Sequence, residues 1–445
     1  MIKSVKKKIN FSIKILGKAE IKSPLKLSTK YGDKKVNYVS DNEYIMFYNE
    51  YNQLKQFKKI EEVPRFEIAG PRQYLYFNPP QTKAAIVTCG GLAPGLNDVI
   101  RALVMELYWI YGVKSIIGIP YGYSGFNRKN GFEPIELTPN RVSEIHSFGG
   151  TILGTSRGKQ DAAEVADYLL QSNISILFCI GGDGTLRGAN AIHKEIAKRK
   201  LKISVVGIPK TIDNDIAYTD KTFGFETAFS KAAEAIKSAH SEARSAYRGI
   251  GLVKLMGRHS GYIAANAALA LKEVNFVLVP EIKFDLNGKN GLFEKLKERL
   301  ISRKHAVLVV AEGAGQEHLI SNNSKVEYDA SGNVKLNDIG LFLKQEIINY
   351  FKKENFDCSL KYIDPSYTIR SLPANPTDSI FCGTLAQNAA HCAMSGRTDV
   401  VIGYHQNHFV HIPIETATSF RKEIDPEGEL WFSVLEATGQ TSMIN

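Results

Sequence analysis

Cysteine is scarce in this 445-residue chain: Cys89, Cys179, Cys358, Cys382 and Cys392 are an odd, scattered set without metal-ligand spacing. That excludes a disulfide framework and a cysteine-built zinc site, and the apolar neighbours of several of them read as reduced core residues of a cytoplasmic protein. None of the ten histidines is read as forming a metal-spaced pair, and none is assigned metal or acid–base chemistry. Long apolar runs are missing as well, which leaves no candidate membrane span and no membrane partner. Arginine is absent from the first sixty residues, which hold fourteen lysines against five acids and so carry +9 of the chain's net +10. The remaining body is near neutral, no recognition motif accompanies the charge, and nucleic acid is not an expected partner. Lysine breaks the apolar stretches of this leader too often for a secretion signal. Its alternating apolar residues and tyrosines predict an added folded segment over 1–80.

The composition otherwise fits a globular chain, with 44% hydrophobic and 23% charged residues, and the length exceeds what one core comfortably holds. Apolar, β-branched runs at 83–89, 174–180, 203–208, 250–255 and 306–310 read as buried parallel strands. Helical patterns at 98–111, 161–171, 226–241 and 260–272 separate them. The alternation predicts an α/β fold with parallel-rich sheets and helical crossovers.

Glycine, acid and arginine clusters follow these strands, at the sheet edge where open α/β folds bind ligands. Gly181-Gly182-Asp183-Gly184-Thr185 follows one strand, and Pro209-Lys210-Thr211-Ile212-Asp213-Asn214-Asp215 follows another. Adjacent glycines let backbone amides approach phosphate oxygens, and a helix expected to start near Leu186 points its positive end at them. Asp183 is then placed to hold a magnesium ion, and Lys210 to face phosphate. Asp213 and Asp215 share one side of an extended segment, where one can take a proton. Alternative readings stay open here: Asp and Asn also suit ordinary turns and caps, and the glycine spacing loosely mimics a dinucleotide fingerprint.

Further runs narrow the choice. Gly90-Gly91-x-x-Pro94-Gly95-x-Asn97, Gly154-Thr155-Ser156-Arg157-Gly158, Met256-Gly257-Arg258, Glu312-Gly313 and Tyr362-Ile363-Asp364-Pro365-Ser366-Tyr367-Thr368-Ile369-Arg370 occur in that order around the two central motifs. Together, over about 83–404, they resemble the 6-phosphofructokinases, specifically the long ATP-dependent subgroup. The resemblance implies two Rossmann-like three-layer α/β/α domains with an active-site cleft between them, plus the N-terminal extension. It places a nucleotide-binding domain at 81–222 plus 371–404, a sugar-phosphate-binding domain at 223–370 and a C-terminal segment at 405–445.

It also implies roles. Asp213 resembles the general base for the 1-hydroxyl of fructose 6-phosphate, and Arg157 and Lys210 complete the catalytic set. Gly91, Arg157, Gly158, Gly182, Asp183, Gly184 and Thr185 match the ATP-binding positions, with Asp183 the Mg2+ ligand. Thr211, Ile212, Asp213, Met256, Gly257, Arg258, Glu312, Tyr367, Thr368, Ile369 and Arg370 match sugar-phosphate positions. Arginine forks suit phosphate, and Glu312 suits hydroxyl protons. The partners implied are ATP and fructose 6-phosphate, in a cytoplasmic homo-oligomer, dimer or tetramer.

Gly184 and Lys210 bear on the phosphoryl donor. Pyrophosphate-dependent relatives typically carry aspartate where this chain has Gly184, and a carboxylate there would crowd the α-phosphate of ATP. Lys210 is shared with those relatives, yet the long ATP-dependent subgroup combines the same glycine and lysine, which favours ATP. Leu92 departs from the short bacterial pattern, and Arg244 and Arg248 are left without a role. Pyrophosphate-dependent activity and a non-catalytic regulatory subunit of the same fold are the alternatives.

Overall fold

The computed structural model describes residues 9–158, 160–319, 328 and 334–445; residues 1–8 of the expected extension lie outside these. The chain divides into two compact units. The first comprises 1–211, 216–224 and 372–420, and the second 212–215, 225–371 and 421–445.

Among the described residues, the first unit is built on a nine-stranded sheet. At its centre lie Val400–His405, Ser204–Pro209, Ile176–Gly181, Lys83–Thr88 and Ser115–Ile119, each parallel to its neighbour. Ile176–Gly181 and Ser204–Pro209 are buried at every position, as parallel strands covered on both faces must be. Register sets Thr88 opposite Ile180 and Gly181 opposite Pro209, so three strand ends lie side by side and their loops leave from one edge.

From residue 9 on, the lysine-rich extension is folded onto this unit. Tyr44–Met46 and Arg65–Ile68 add antiparallel strands beyond His408–Pro413, Lys14–Ile15 pairs with Arg397–Thr398, and Phe11 enters the core. The residues expected as a separate C-terminal segment are instead divided. Val400–His405 pairs with His408–Pro413 inside the first unit's sheet, while 421–445 belongs to the second unit, where Met443 is buried in the core. Each piece buries apolar side chains in the core it joins, Val410 and Ile412 in the first and Met443 in the second.

Among its described residues, the second unit has a four-stranded parallel sheet in the order Phe276–Leu278, His305–Ala311, Gly249–Leu255, Ser359–Ile363. Leu255 pairs with Ala311, so the loops after these two strands also start from one edge.

Two helices differ from expectation. The helix after Gly181 spans Asp183–Lys198 and begins earlier than Leu186, because Gly182 accepts the first helical bonds from the amides of Thr185 and Leu186. The 98–111 pattern is an α-helix, Leu96–Met105, continued as a π-helix, Glu106–Tyr111. The wider π turn brings residues five apart toward one side. Tyr111 Oη lies 2.7 Å and Glu106 Oε1 3.9 Å from Nδ1 of buried His391.

Candidate active site

In the first unit, three phosphate-type loops are tied together by hydrogen bonds to main-chain oxygens. The Gly90 amide donates to Ser156 O at 3.0 Å, and Thr155 Oγ1 donates to Gly90 O at 2.7 Å. Thr88 Oγ1 donates to Gly154 O at 2.8 Å. The 154–158 run is thereby held against the end of Lys83–Thr88. Lys210 extends the next strand end but one: its amide donates to Gly181 O at 3.0 Å and its Nζ to Gly91 O at 2.5 Å. The side chain is buried, and a buried ammonium needs acceptors around it.

Asp183 opens the Asp183–Lys198 helix, where the macrodipole favours negative charge. Its carboxylate accepts from Arg187 Nε at 3.1 Å, one helical turn on, and Arg187 Nη2 donates to Thr418 O at 3.1 Å. Thr185 is buried, with its carbonyl bonded by Tyr123 Oη at 2.8 Å. Gly184 is exposed on the first turn, and a Cβ added there would meet nothing within 4 Å. Arg157 and Gly158 are exposed, and Gly91 and Gly182 half-buried. Thr211 accepts at its carbonyl from Thr222 Oγ1 at 2.8 Å.

The second unit holds the rest of the expected set. Asp213 is half-buried, and its carbonyl accepts from Ser260 Oγ at 2.9 Å. Ile212 and Ile369 are buried apolar side chains, so contact from these positions would come from their backbone. Met256, Gly257 and Arg258 follow Gly249–Leu255, and Glu312 and Gly313 follow His305–Ala311. The two loops are bonded through Glu312 N to Leu255 O at 2.8 Å and Gly313 N to Gly257 O at 3.1 Å. Neither glycine is replaceable without movement. Gly257 has φ 132°, and a Cβ on Gly313 would come within 2.0 Å of Arg258 O.

Burial raises the pKa of Glu312, with the charges of Arg258, Lys254 and Arg370 opposing that shift. The Arg258 guanidinium donates to Val334 O. Arg370 lies over the exposed ring of Tyr367, 5.0 Å from its centroid, and Thr368 Oγ1 donates to Pro365 O at 2.7 Å. Lys254 escaped sequence reasoning. It bridges Asp338 and Asp364, each at 2.8 Å, and its charge bears on Glu312. Its only sequence signal was a cation inside an otherwise apolar strand, at Gly249–Leu255. Arg187 was missed likewise, although it stands four residues after Asp183, the spacing of helical ion pairs.

Each unit thus presents charged and backbone groups on loops that leave one sheet edge. The first unit combines glycine-rich turns, a helix N-terminus, a carboxylate and a buried ammonium, which suits a polyphosphate. The second combines two arginines, two carboxylates and hydroxyl-bearing side chains, which suits a phosphorylated polyol. The fit to magnesium is also favourable. Asp183 offers a hard oxygen ligand beside the phosphate-type loops, and magnesium usually binds through one or two carboxylates plus substrate phosphates and water.

Comparison with known proteins agrees with this chemistry. The family profile described as "Phosphofructokinase" matches residues 83–393. The ATP-dependent 6-phosphofructokinase of Borreliella burgdorferi is 46% identical over 445 aligned residues, covering 97% of both chains. The chloroplastic ATP-dependent 6-phosphofructokinase 5 of Arabidopsis thaliana is 50% identical over 376 residues, covering 84% of this chain and 69% of its own. Among solved structures, the pyrophosphate-dependent phosphofructokinase of Marinobacter aquaeolei shares the fold with a TM-score of 0.65 at 17% identity, covering 81% of this chain and 92% of its own. Strand-end motifs, their order along the chain and the likeness over nearly its whole length place this protein in one group: the chain belongs to the phosphofructokinase family.

Proposed function

We propose that the protein is an ATP-dependent 6-phosphofructokinase, transferring the γ-phosphoryl of ATP to the 1-hydroxyl of fructose 6-phosphate to give fructose 1,6-bisphosphate and ADP. The observation that carries the reading is the pairing of the Gly181–Thr185 turn with Pro209 and Lys210 at one sheet edge of the first unit, in a chain 46% identical to an ATP-dependent enzyme.

In this reading Asp213 accepts the proton of the 1-hydroxyl, and the freed oxygen attacks the terminal phosphorus in line. Lys210 and Arg157 spread positive charge around the transferring phosphoryl, whose equatorial oxygens carry the transition-state charge. Gly91, Gly158, Gly182, Gly184 and Thr185 line the nucleotide phosphates with backbone groups. Arg258 and Arg370 hold the sugar phosphate by their guanidinium forks, Glu312 takes hydroxyl protons, and Thr211, Met256, Gly257, Tyr367 and Thr368 shape the sugar site. Asp183 would hold magnesium, which would supply neutralisation of the phosphate charge. We further propose a cytoplasmic homo-oligomer, dimer or tetramer, on the family resemblance.

The open space at Gly184 supports ATP, because nothing there competes with the α-phosphate. Lys210 supports the second reading, pyrophosphate, since pyrophosphate-dependent relatives use that residue. The test is fructose 1,6-bisphosphate formation with magnesium and fructose 6-phosphate, offering ATP and pyrophosphate in parallel. Product from ATP alone supports the proposal; product from pyrophosphate alone shows that Lys210 outweighs Gly184, and product from neither overturns it.

A further inference from the structure

The loop that carries Asp213 is closed at its stem within the first unit. Lys210 pairs with Phe223 in a parallel bridge, and Thr222 Oγ1 donates to Thr211 O at 2.8 Å. Between these ties the chain departs from regular structure, with Asn214 at φ 53° and Tyr218 at φ 61°, conformations that non-glycine residues seldom hold without support. The four residues 212–215 belong to the second unit, whereas 211 and 216–224, which flank them covalently, belong to the first. Whatever fixes 216–224 therefore also fixes one end of the Asp213 stretch.

The N-terminal extension supplies that support. Tyr218 meets Phe11 edge-on at 5.3 Å between ring centroids and Phe47 at 5.6 Å, and both phenyl rings also pack on fully buried Phe66. Phe420 closes the cluster from the other end of the unit, 5.2 Å from Tyr218. A second tie runs through the polar groups. His405 stacks on Phe47 with rings 5.6 Å apart, its Nε2 lies 3.1 Å from Phe47 O, and its Nδ1 lies 3.4 Å from Asp220 Oδ1. The Gln406 amide donates to Asp220 Oδ2 at 2.7 Å, its Nε2 to Phe47 O at 3.3 Å, and the Asp220 amide donates to Tyr404 O at 2.7 Å. Phe47 thus touches the loop tip directly, and through the 405–406 turn as well.

We propose that the extension is a positioning element for the Asp213 loop, with Phe11 and Phe47 as positioning residues that act through Tyr218. This rests on Asp213 being the base of the proposed reaction. With 216–224 loosened, the loop can shift the Asp213 carboxylate by a fraction of an ångström even while Ser260 holds its carbonyl, and catalysis punishes that far more than binding does. Phe47 and Tyr218 are only partly buried and pack against the margin of the first unit's core, so loss of the Phe47 ring should loosen 211–223 before it unfolds the unit.

The experiment is Phe47→Ala in the full-length enzyme, read by amide hydrogen exchange over 211–223 together with steady-state kinetics. Exchange in that segment should rise selectively, kcat should fall by about ten- to a hundred-fold with the KM for nucleotide nearly unchanged, and Phe47→Leu should restore most of the loss. Wild-type exchange over 211–223 with wild-type kcat overturns the proposal, whatever happens to thermal stability. Phe11→Ala gives the same reading if Phe47→Ala does not fold. Should exchange rise in a protein that phosphorylates no sugar phosphate even as wild type, the support of the loop stands and the role of Asp213 falls.

Discussion

Lys210 Nζ lies 2.5 Å from the main-chain oxygen of Gly91, so the cation at the end of one strand is held by the glycine turn that follows another. Lys210→Met should lose this tie and the positive charge together. We expect kcat to fall by about a hundred-fold, the scale of removing one preorganised donor, and the melting temperature to drop as well. Single-turnover rates compared with calorimetry check this, and unchanged turnover would remove Lys210 from the mechanism.

Asp213→Asn keeps the shape of the side chain and its main-chain bond from Ser260, but cannot accept the proton. Turnover should fall by about two to four orders of magnitude with substrate KM values little changed. Retained turnover in steady-state assays would mean that another group is the base.

Gly184→Asp tests donor choice with little risk to the fold, because a Cβ at this exposed position meets nothing. ATP-dependent product formation should vanish while the melting temperature stays close to that of the wild type. Undiminished ATP use would place donor selection elsewhere.

Gly313→Ala drives a methyl group into Arg258 O and must push apart the loops carrying Arg258 and Glu312. The KM for fructose 6-phosphate should rise by about ten-fold or more, with the KM for ATP much less affected. Equal effects on both would show that the two loops do not define a separate sugar site.

Stability should depend on pH with two opposing signs. Burial, aided by repulsion from Arg72, holds His391 down to about 4, so it stays neutral when folded. Between about 6.5 and about 4 the unfolded chain binds more protons at this residue, and stability falls as the pH falls. His411 is buried, held down to about 4 and acts in the same direction. Glu106 is pushed up to about 7 by burial, so the folded state binds its proton more readily and stability falls as the pH rises toward 7. Thermal unfolding against pH should show His391→Gln flattening the acid limb and Glu106→Gln flattening the limb approaching neutrality. Parallel curves for variant and wild type would show that these groups do not control the pH response.

Much of the proposed catalytic set could be picked out because its residues sit in short runs. Apolar strands announce themselves by residue type, and a glycine, acid or arginine cluster just after each marks the ligand edge of the sheet. Longer-range relations were not legible. The spacing could not show that Lys254 is shared by Asp338 and Asp364, since those acids come from distant parts of the chain. Nor could it show that Arg187 bonds both Asp183 and the carbonyl of Thr418.

The sequence by itself determined the α/β class and the family, and it supplied the residues proposed for phosphate and sugar, because each depends on local pattern: buried strand composition, turn glycines and charge placed next to them. Only the tertiary structure decided where the two ends of the chain go. The lysine-rich leader joins the first unit's sheet and cups Tyr218, and the last residues cross to the second unit's core. Hydrophobic burial is proportional to area and carries no address, so which apolar strip covers which core is settled by the complementarity of the folded surfaces.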